Sequence, residues 1–385
     1  MDFDTHLDTH LDTLETPAAL VDLAVVQHNI ARMQSRITRL GARLRPHVKT
    51  AKCIELAALQ REAGASGITV STLKEADVFF EAGFDDILYA VGMPPGKLDH
   101  AFDLARRGCR LTVLVDSLAA AQALVRRGAQ GGPAPAVMIE VDTDGHRAGV
   151  DPQGELLLQL GRALHEGGLR MAGVMTHAGA SYEESTPQGL QRIAEQERAR
   201  CVLAAQRLRS AGLPCPEVSV GSTPTALSAT SLQGVTEVRA GVYVFHDLVM
   251  CNVGVCTPAE VALSVLTTVI GHQADKGWIL VDAGWMAMSR DRGTQAQAVD
   301  YGYGAVCDRH GRLLPGWIMS GANQEHGILS RPDGQGHADL AEAFPVGTRL
   351  RVQPNHACAT AAQFGGYEVM HRDGSLARWP RFNGW

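Results

Sequence analysis

Between residues 17 and 250, short apolar runs alternate with longer amphipathic stretches. The runs lie at 44–47, 67–71, 87–90, 111–116, 137–141, 172–176, 217–221 and 237–239. Most are continuously apolar, the pattern of parallel strands buried on both faces. Stretches such as 118–127 and 190–211 show helical periodicity and have glycines near their ends as stops. Eight strands, most followed by a helix, predict a (β/α)8 barrel over 17–250. The pattern then changes. Runs at 261–271, 278–281, 348–352 and 367–370 are alternating or β-branched and are separated by Gly, Pro and Asp turns. They predict a smaller antiparallel β domain over 251–385, with the boundary somewhere in 248–258. The fold class is therefore α/β, a barrel followed by a β domain.

Residues 1–16 carry Asp-Thr-His-Leu twice, at 4–7 and 8–11, and read as a loosely held lead-in joining the β domain. Met1-Asp2-Phe3-Asp4 is acidic and lacks the apolar segment of a signal peptide. The chain has 385 residues, a net charge of -6 and a composition 45% hydrophobic, ordinary for a soluble enzyme. No basic cluster points to nucleic acid, and no apolar run reaches the roughly 18 residues that span a bilayer. The 8 cysteines include no C-x-x-C pair, which in a chain of this size implies reduced thiols and a cytoplasmic location.

Catalytic side chains of barrels come from the carboxyl ends of the strands. Lys49, in Arg45-Pro46-His47-Val48-Lys49-Thr50, falls just past the first such end. A lysine desolvated in an apolar mouth has a lowered pKa and an amine free to form a Schiff base; a plain surface loop lysine is the alternative. The other strand ends carry Asp142 and Arg147, His177 with Tyr182, Gly221-Ser222-Thr223-Pro224-Thr225, and Arg239 leading to Gly241 and Tyr243. Small residues and hydroxyls after 217–221 suit a phosphate, or equally an ordinary helix N-cap. Arg147 suits a phenolate or carboxylate, or a solvated salt bridge. His177 and Tyr182 suit a flat ring, or simply the core.

In the β domain, His356 and Cys358 are two residues apart. An extended segment would turn both to one face, about 6–7 Å apart, close enough to share a metal. Imidazole with thiolate favours Zn²⁺, and two protein ligands leave room for substrate. An isolated H-x-C also arises by chance. Asn323-Gln324-Glu325-His326-Gly327 supplies Gln324 and His326 as candidate polar groups near substrate, or forms a turn. Arg290 and Arg292, in Ser289-Arg290-Asp291-Arg292-Gly293, can pair with a substrate carboxylate; for at least one, a solvated charged loop is the simpler reading.

These stretches, with Thr16-Pro17-Ala18, Glu237 to Tyr243 and Asp282-Ala283-Gly284, occur in order along nearly the whole chain. Together they resemble the D-serine dehydratase / D-threonine aldolase family of fold-type III pyridoxal phosphate enzymes, related to alanine racemase. A narrower likeness lies in Ser71-Thr72-Leu73-Lys74-Glu75-Ala76 and in residues 282–293. The resemblance implies Lys49 as the cofactor lysine and Ser222, Thr223 and Gly241 near the phosphate. It implies Arg147, His177, Tyr182 and Tyr243 around the ring, and a divalent metal (Zn²⁺, Mn²⁺ or Mg²⁺) on His356 and Cys358. Aldolases of the family usually carry His-x-Asp where dehydratases carry His-x-Cys, so Cys358 implies β-elimination from a D-3-hydroxy amino acid. Arg290 and Arg292 favour a carboxylate on Cβ, as in 3-hydroxyaspartate. The same parts also serve a retro-aldol reaction giving glycine and an aldehyde, or D-serine dehydration. A non-catalytic cofactor carrier is a third reading, against which residues 251–385 count. A homodimer is the assembly the resemblance implies.

Overall fold

The computed structural model describes residues 3–333 and 339–385. Met1 and Asp2, which open the acidic N-terminus, lie outside them. The chain divides into two compact units, Ala31–Gly241 with Gly384–Trp385, and Met1–Ile30 with Val242–Asn383.

Strand β1 (Ala18–Asp22) belongs to the second of these units. The first is built on β2 (Arg43–Leu44), β3 (Ile68–Val70), β4 (Asp86–Gly92), β5 (Arg110–Val115), β6 (Ala136–Glu140), β7 (Met171–Met175), β8 (Glu217–Val220) and β9 (Glu237–Val238). They form one sheet in the order β2-β9-β8-β7-β6-β5-β4-β3, with every pairing parallel. Just past β2, His47 bridges Thr69 of β3, with Val48 N donating to Thr69 O at 2.9 Å, so the two edges meet and the barrel closes. All eight strands lie where the apolar runs placed them.

Arg45, buried inside the barrel, is paired with two carboxylates. Arg45 Nε donates to Glu237 Oε2 at 2.6 Å and its Nη1 to Asp86 Oδ1 at 2.8 Å, which together hold the guanidinium in its charged form against the pull of burial. Gly67, at φ +76°, passes so close to this guanidinium that a Cβ would collide with it. Glycine is required there for both reasons.

The second unit is a 9-stranded sheet. Its members are β1, β10 (Leu263–Gln273), β11 (Trp278–Val281), β12 (Gly304–Cys307), β13 (Leu313–Ala322), β14 (Gly327–Ser330), β15 (Arg349–Pro354), β16 (Gly366–Met370) and β17 (Leu376–Pro380). The order is β11-β14-β13-β12-β15-β10-β1-β16-β17, and a further β10–β11 pairing turns six of the strands into a closed ring. A register shift between Val269 and Gly271 lets β10 bend from one partner to the next. Only β1–β16 is parallel.

Two sequence expectations change here. Residues 17–30 stand with the antiparallel sheet, because the backbone of β1 bonds to β10 and β16; the barrel unit ends at Gly241 rather than at 250. The lead-in is a helix, Phe3–Thr13, whose Leu7 and Leu11 are buried with Leu20, Leu266 and Met370.

Candidate active site

Lys49 lies in the turn after β2, between buried Val48 and Thr50, and its own side chain is exposed. The expected desolvation of this amine is therefore not what the structure has. What distinguishes Lys49 is its lack of a partner. Lys52, one turn on, is held by the buried carboxylate of Glu75 at 3.2 Å, whereas Lys49 enters no ion pair among the described residues. Thr72 caps the helix Leu73–Glu81 by accepting from Glu75 N at 3.0 Å, and Glu75 Oε2 accepts from Ser71 N at 3.1 Å. Those capping and pairing duties are the local content of the Ser71–Ala76 motif.

Around Lys49 the strand ends converge. His47 Nε2 is 3.3 Å from Ser71 Oγ, while its buried Nδ1 has no hydrogen-bond partner. Burial, then Lys49, Arg239 and His177, drive the His47 pKa well below its usual value. His177 Nδ1 donates to Gly221 O at 3.0 Å, and its ring is 6.0 Å from that of Tyr182. Burial lowers the His177 pKa to about 3, helped by Arg239, Arg147 and Lys49 and opposed by the Gly221 carbonyl. Both imidazoles are thus neutral, in a field set by three cations.

Ser222 and Thr223 are fully buried. Ser222 Oγ accepts from Thr225 N at 3.2 Å and meets Ser181 Oγ at 2.8 Å. Gly221, at φ +136°, has Arg239 backbone where a Cβ would stand, and a Cβ on Gly241 would meet His47 O at 2.9 Å. At Gly221 the chain after β8 runs against the backbone of Arg239, and at Gly241 the chain after β9 runs against His47, with no room for a side chain at either glycine. Arg147 is exposed, 3.9 Å from Glu140. Tyr243 falls in the other unit, in the turn Val242–Val244, and is buried there.

One residue here escaped the sequence reading. Glu197, on the helix Pro187–Ser210, accepts from Ala178 N at 3.1 Å and from Gly221 N at 2.9 Å, tying together the loops after β7 and β8. Burial raises its pKa above the usual carboxylate value, opposed by the Thr225 hydroxyl and by the Gly221 and Ala178 N–H groups. The signal was present. Glu197 interrupts the stripe Leu190, Ala194, Cys201, Ala204, Leu208, where every other buried member is apolar.

These residues suit pyridoxal phosphate. Buried hydroxyls, side-chain-free backbone, three cations and the unpaired His47 Nδ1 are what an anionic aromatic cofactor with a phosphate would satisfy.

In the second unit, His356 and Cys358 do not lie on a strand. His356 is the N-cap of the short helix Ala357–Ala361, and Cys358 sits in its first turn. The two side chains nevertheless hydrogen-bond one another. Four groups hold this turn. Asp247 Oδ2 accepts from Ala357 N at 2.9 Å and Asn355 Nδ2 donates to Gly302 O at 2.6 Å. Thr360 Oγ1 donates to Met288 O at 2.7 Å, and Asp291 Oδ2 meets His356 Nδ1 at 2.6 Å. Burial lowers the His356 pKa, but Asp291 and Cys358 outweigh it and raise it to about 11. An imidazole with a thiol beside it and a carboxylate behind it is a donor set that suits a borderline-soft divalent cation. A carboxylate behind a histidine is also the usual support of a metal-binding imidazole. Among the described residues no group of three or more His, Cys, Asp or Glu is placed to hold one metal ion.

Gln324 and His326 are exposed on the turn between β13 and β14, which meets the helix Trp285–Met288 through Trp285 N to Asn323 O at 2.9 Å. Arg290 stacks over Trp285 at 4.8 Å, whereas Arg292 pairs with Asp300 at 3.0 Å. Cys251 and Cys256 bring their sulfurs to 3.5 Å, and all 8 cysteines are free thiols.

Residues 21–248 match the family profile of the alanine racemase N-terminal domain, and residues 262–370 that of a serine dehydratase domain. The chain belongs to the alanine racemase-like family of fold-type III pyridoxal phosphate enzymes. It is 64% identical over 374 residues to D-threo-3-hydroxyaspartate dehydratase of Delftia sp. (strain HT23), covering 97% of this chain and 98% of that protein. D-serine dehydratase of Dictyostelium discoideum is 30% identical, covering 95% and 96%, and D-threonine aldolase of an Arthrobacter species is 30% identical, covering 94% and 91%. The solved Delftia dehydratase superposes with a TM-score of 0.96 over 97% of this chain and 99% of that one. A cysteine-to-alanine mutant of the same dehydratase has been solved in a metal-free form, also at 0.96. No helix among the described residues is long and apolar enough to cross a membrane.

Proposed function

We propose that the protein is a pyridoxal phosphate- and divalent metal-dependent dehydratase converting D-threo-3-hydroxyaspartate to oxaloacetate and ammonia. The observation that carries this reading is the His356–Cys358 pair with Asp291 behind it, in a chain 64% identical to a dehydratase of that substrate. The D-serine dehydratase and D-threonine aldolase relatives stand at 30%. Lys49 would hold the cofactor, with Ser222, Thr223 and Gly241 toward its phosphate and His177, Tyr182 and Arg147 around its ring. His356 and Cys358 would hold the metal, Zn²⁺ before Mn²⁺ or Mg²⁺ by ligand softness. Gln324, His326 and Arg290 are the groups proposed to face substrate, and a homodimer is the proposed assembly.

When bound, the cofactor supplies an electron sink for the substrate's α-carbon and the metal a Lewis acid for its β-hydroxyl. Lys49, with no competing ion pair, is the base for the α-proton; Lys52 is unavailable because Glu75 holds it. Neutral His177 keeps its Nδ1 proton on Gly221 O, leaving Nε2 as an acceptor. Asp291 fixes the His356 ring so that Nε2, the nitrogen it does not engage, is the ligating atom. Loss of the α-proton and β-hydroxyl as water leaves an enamine, which takes up water and releases ammonia with the 2-oxo acid.

Product analysis on cofactor- and metal-loaded enzyme tests this. Equal amounts of oxaloacetate and ammonia from D-threo-3-hydroxyaspartate are expected, and both should vanish with a chelator. Glycine and glyoxylate instead would make the protein an aldolase.

A further inference from the structure

Two arginines flank the aspartate that supports His356, and the structure treats them differently. After β11, Ser289 adopts φ +73° and its hydroxyl accepts from Asp291 N at 3.2 Å, so the chain turns sharply and presents residues 290–292 in succession. Asp291 O also accepts from Asn355 Nδ2, at 3.3 Å, which fixes this turn to the residue preceding His356. Arg292 is spent: it pairs with Asp300 at 3.0 Å and lies over the Tyr303 ring at 5.2 Å. Arg290 is exposed, and its guanidinium carbon lies 4.8 Å over the Trp285 ring. Of the two arginines on this turn, Arg292 has a carboxylate partner and Arg290 has none among the described residues.

We propose that Arg290 binds the β-carboxylate of the substrate and so sets a preference for a dicarboxylic hydroxy amino acid over D-serine and D-threonine. The proposal rests on the dehydratase reading above. In 3-hydroxyaspartate the hydroxyl and the second carboxylate sit on the same carbon. A metal on His356 and Cys358 that takes the hydroxyl would bring the second carboxylate, carried on the same carbon, to the neighbourhood of the turn that reaches His356 through Asp291. Stacking on an indole restrains a guanidinium while leaving its N–H edge open, and that planar edge matches a carboxylate bidentately. Trp285 is itself pinned through its backbone N–H to Asn323 O, at 2.9 Å. D-Serine and D-threonine offer Arg290 nothing to bind.

The test uses holoenzyme and two non-eliminating probes, D-aspartate and D-alanine, titrated by the change in cofactor absorbance. Wild type should bind D-aspartate more tightly. Arg290→Gln should weaken D-aspartate by roughly 10- to 100-fold, the value of a charge-assisted pair, and leave D-alanine unchanged. Arg290→Lys, which keeps the charge but not the fork, should fall between. In turnover, KM for D-threo-3-hydroxyaspartate should rise in Arg290→Gln while kcat/KM for D-serine holds. Arg292→Gln should lower thermal stability without changing the preference. An Arg290→Gln variant that weakens both probes equally, or neither, overturns the proposal. Failure of wild type to dehydrate hydroxyaspartate would instead overturn the parent reading, and the two probes separate these results because neither needs to react.

Discussion

At the scale of single residues, the site is recognised by which polar groups have been claimed. Lys49 and Lys52 stand three apart in sequence; Glu75 takes Lys52, and Lys49 remains. The sequence could name Lys49 only by its place after a strand, since the pairing that excludes its neighbour is tertiary. His177 gives a test of the electrostatics around Lys49. Its folded pKa of about 3 lies below that of an unfolded histidine near 6.5, so between those values the unfolded chain binds the extra proton. Stability from this group is thus present above pH 6.5 and is lost as pH falls toward 3, at up to about 1.4 kcal/mol per pH unit. His47, shifted the same way, adds to the slope. The urea midpoint of the cofactor-free protein should drop on acidification from pH 6.5 to 5, and His177→Asn should flatten that drop. Parallel curves for the two proteins would mean that His177 is not neutral by burial.

Among whole elements, legibility followed the regularity of the pattern. The barrel strands are continuous apolar runs buried on both faces, and such runs are visible without any partner. Strands β1, β12, β13, β14 and β17 fall outside the runs that the pattern marked as strands. β13 contains Pro315 and Gly316, which read as turn residues, and β17 is half exposed, with Arg378 paired across to Glu368. Their strand character comes from hydrogen-bonded neighbours rather than from their own pattern. The N-terminal helix is a different kind of miss. The repeated Asp-Thr-His-Leu sets Leu7 and Leu11 four apart, with Leu14 three further on, which is an apolar helical stripe rather than a loosely held lead-in. Leu11 is wholly buried, so Leu11→Ala should cost about 2–5 kcal/mol. Thermal unfolding monitored by circular dichroism measures it, and a change below about 0.5 kcal/mol would mean that the helix is not docked in solution.

For the molecule as a whole, the two chemistries are carried by different parts of the chain. The residues expected at the cofactor belong to Ala31–Gly241 apart from Tyr243, and the metal pair with Asp247, Asp291 and Asn355 belongs to Val242–Asn383. Each set is held by hydrogen bonds within its own unit: Glu197 to Ala178 and Gly221 in one, Asp247 to Ala357 and Asn355 to Gly302 in the other. Since the hydrogen bonds named for each set lie within its own unit, the two losses are expected to be separable. Chelation should remove nearly all water elimination, because hydroxide leaves poorly without a Lewis acid, yet leave the cofactor absorbance in place. Lys49→Ala should abolish that absorbance and at least about 100-fold of the activity, while metal content by elemental analysis stays at the wild-type level. Both readouts are taken before any substrate is added, so they report the two sites and not the reaction. If chelation bleached the cofactor, or if Lys49→Ala emptied the metal pair, the sites would be one cooperative structure. The division of labour between an amine that moves the α-proton and a metal that carries off the hydroxyl would then have to be abandoned.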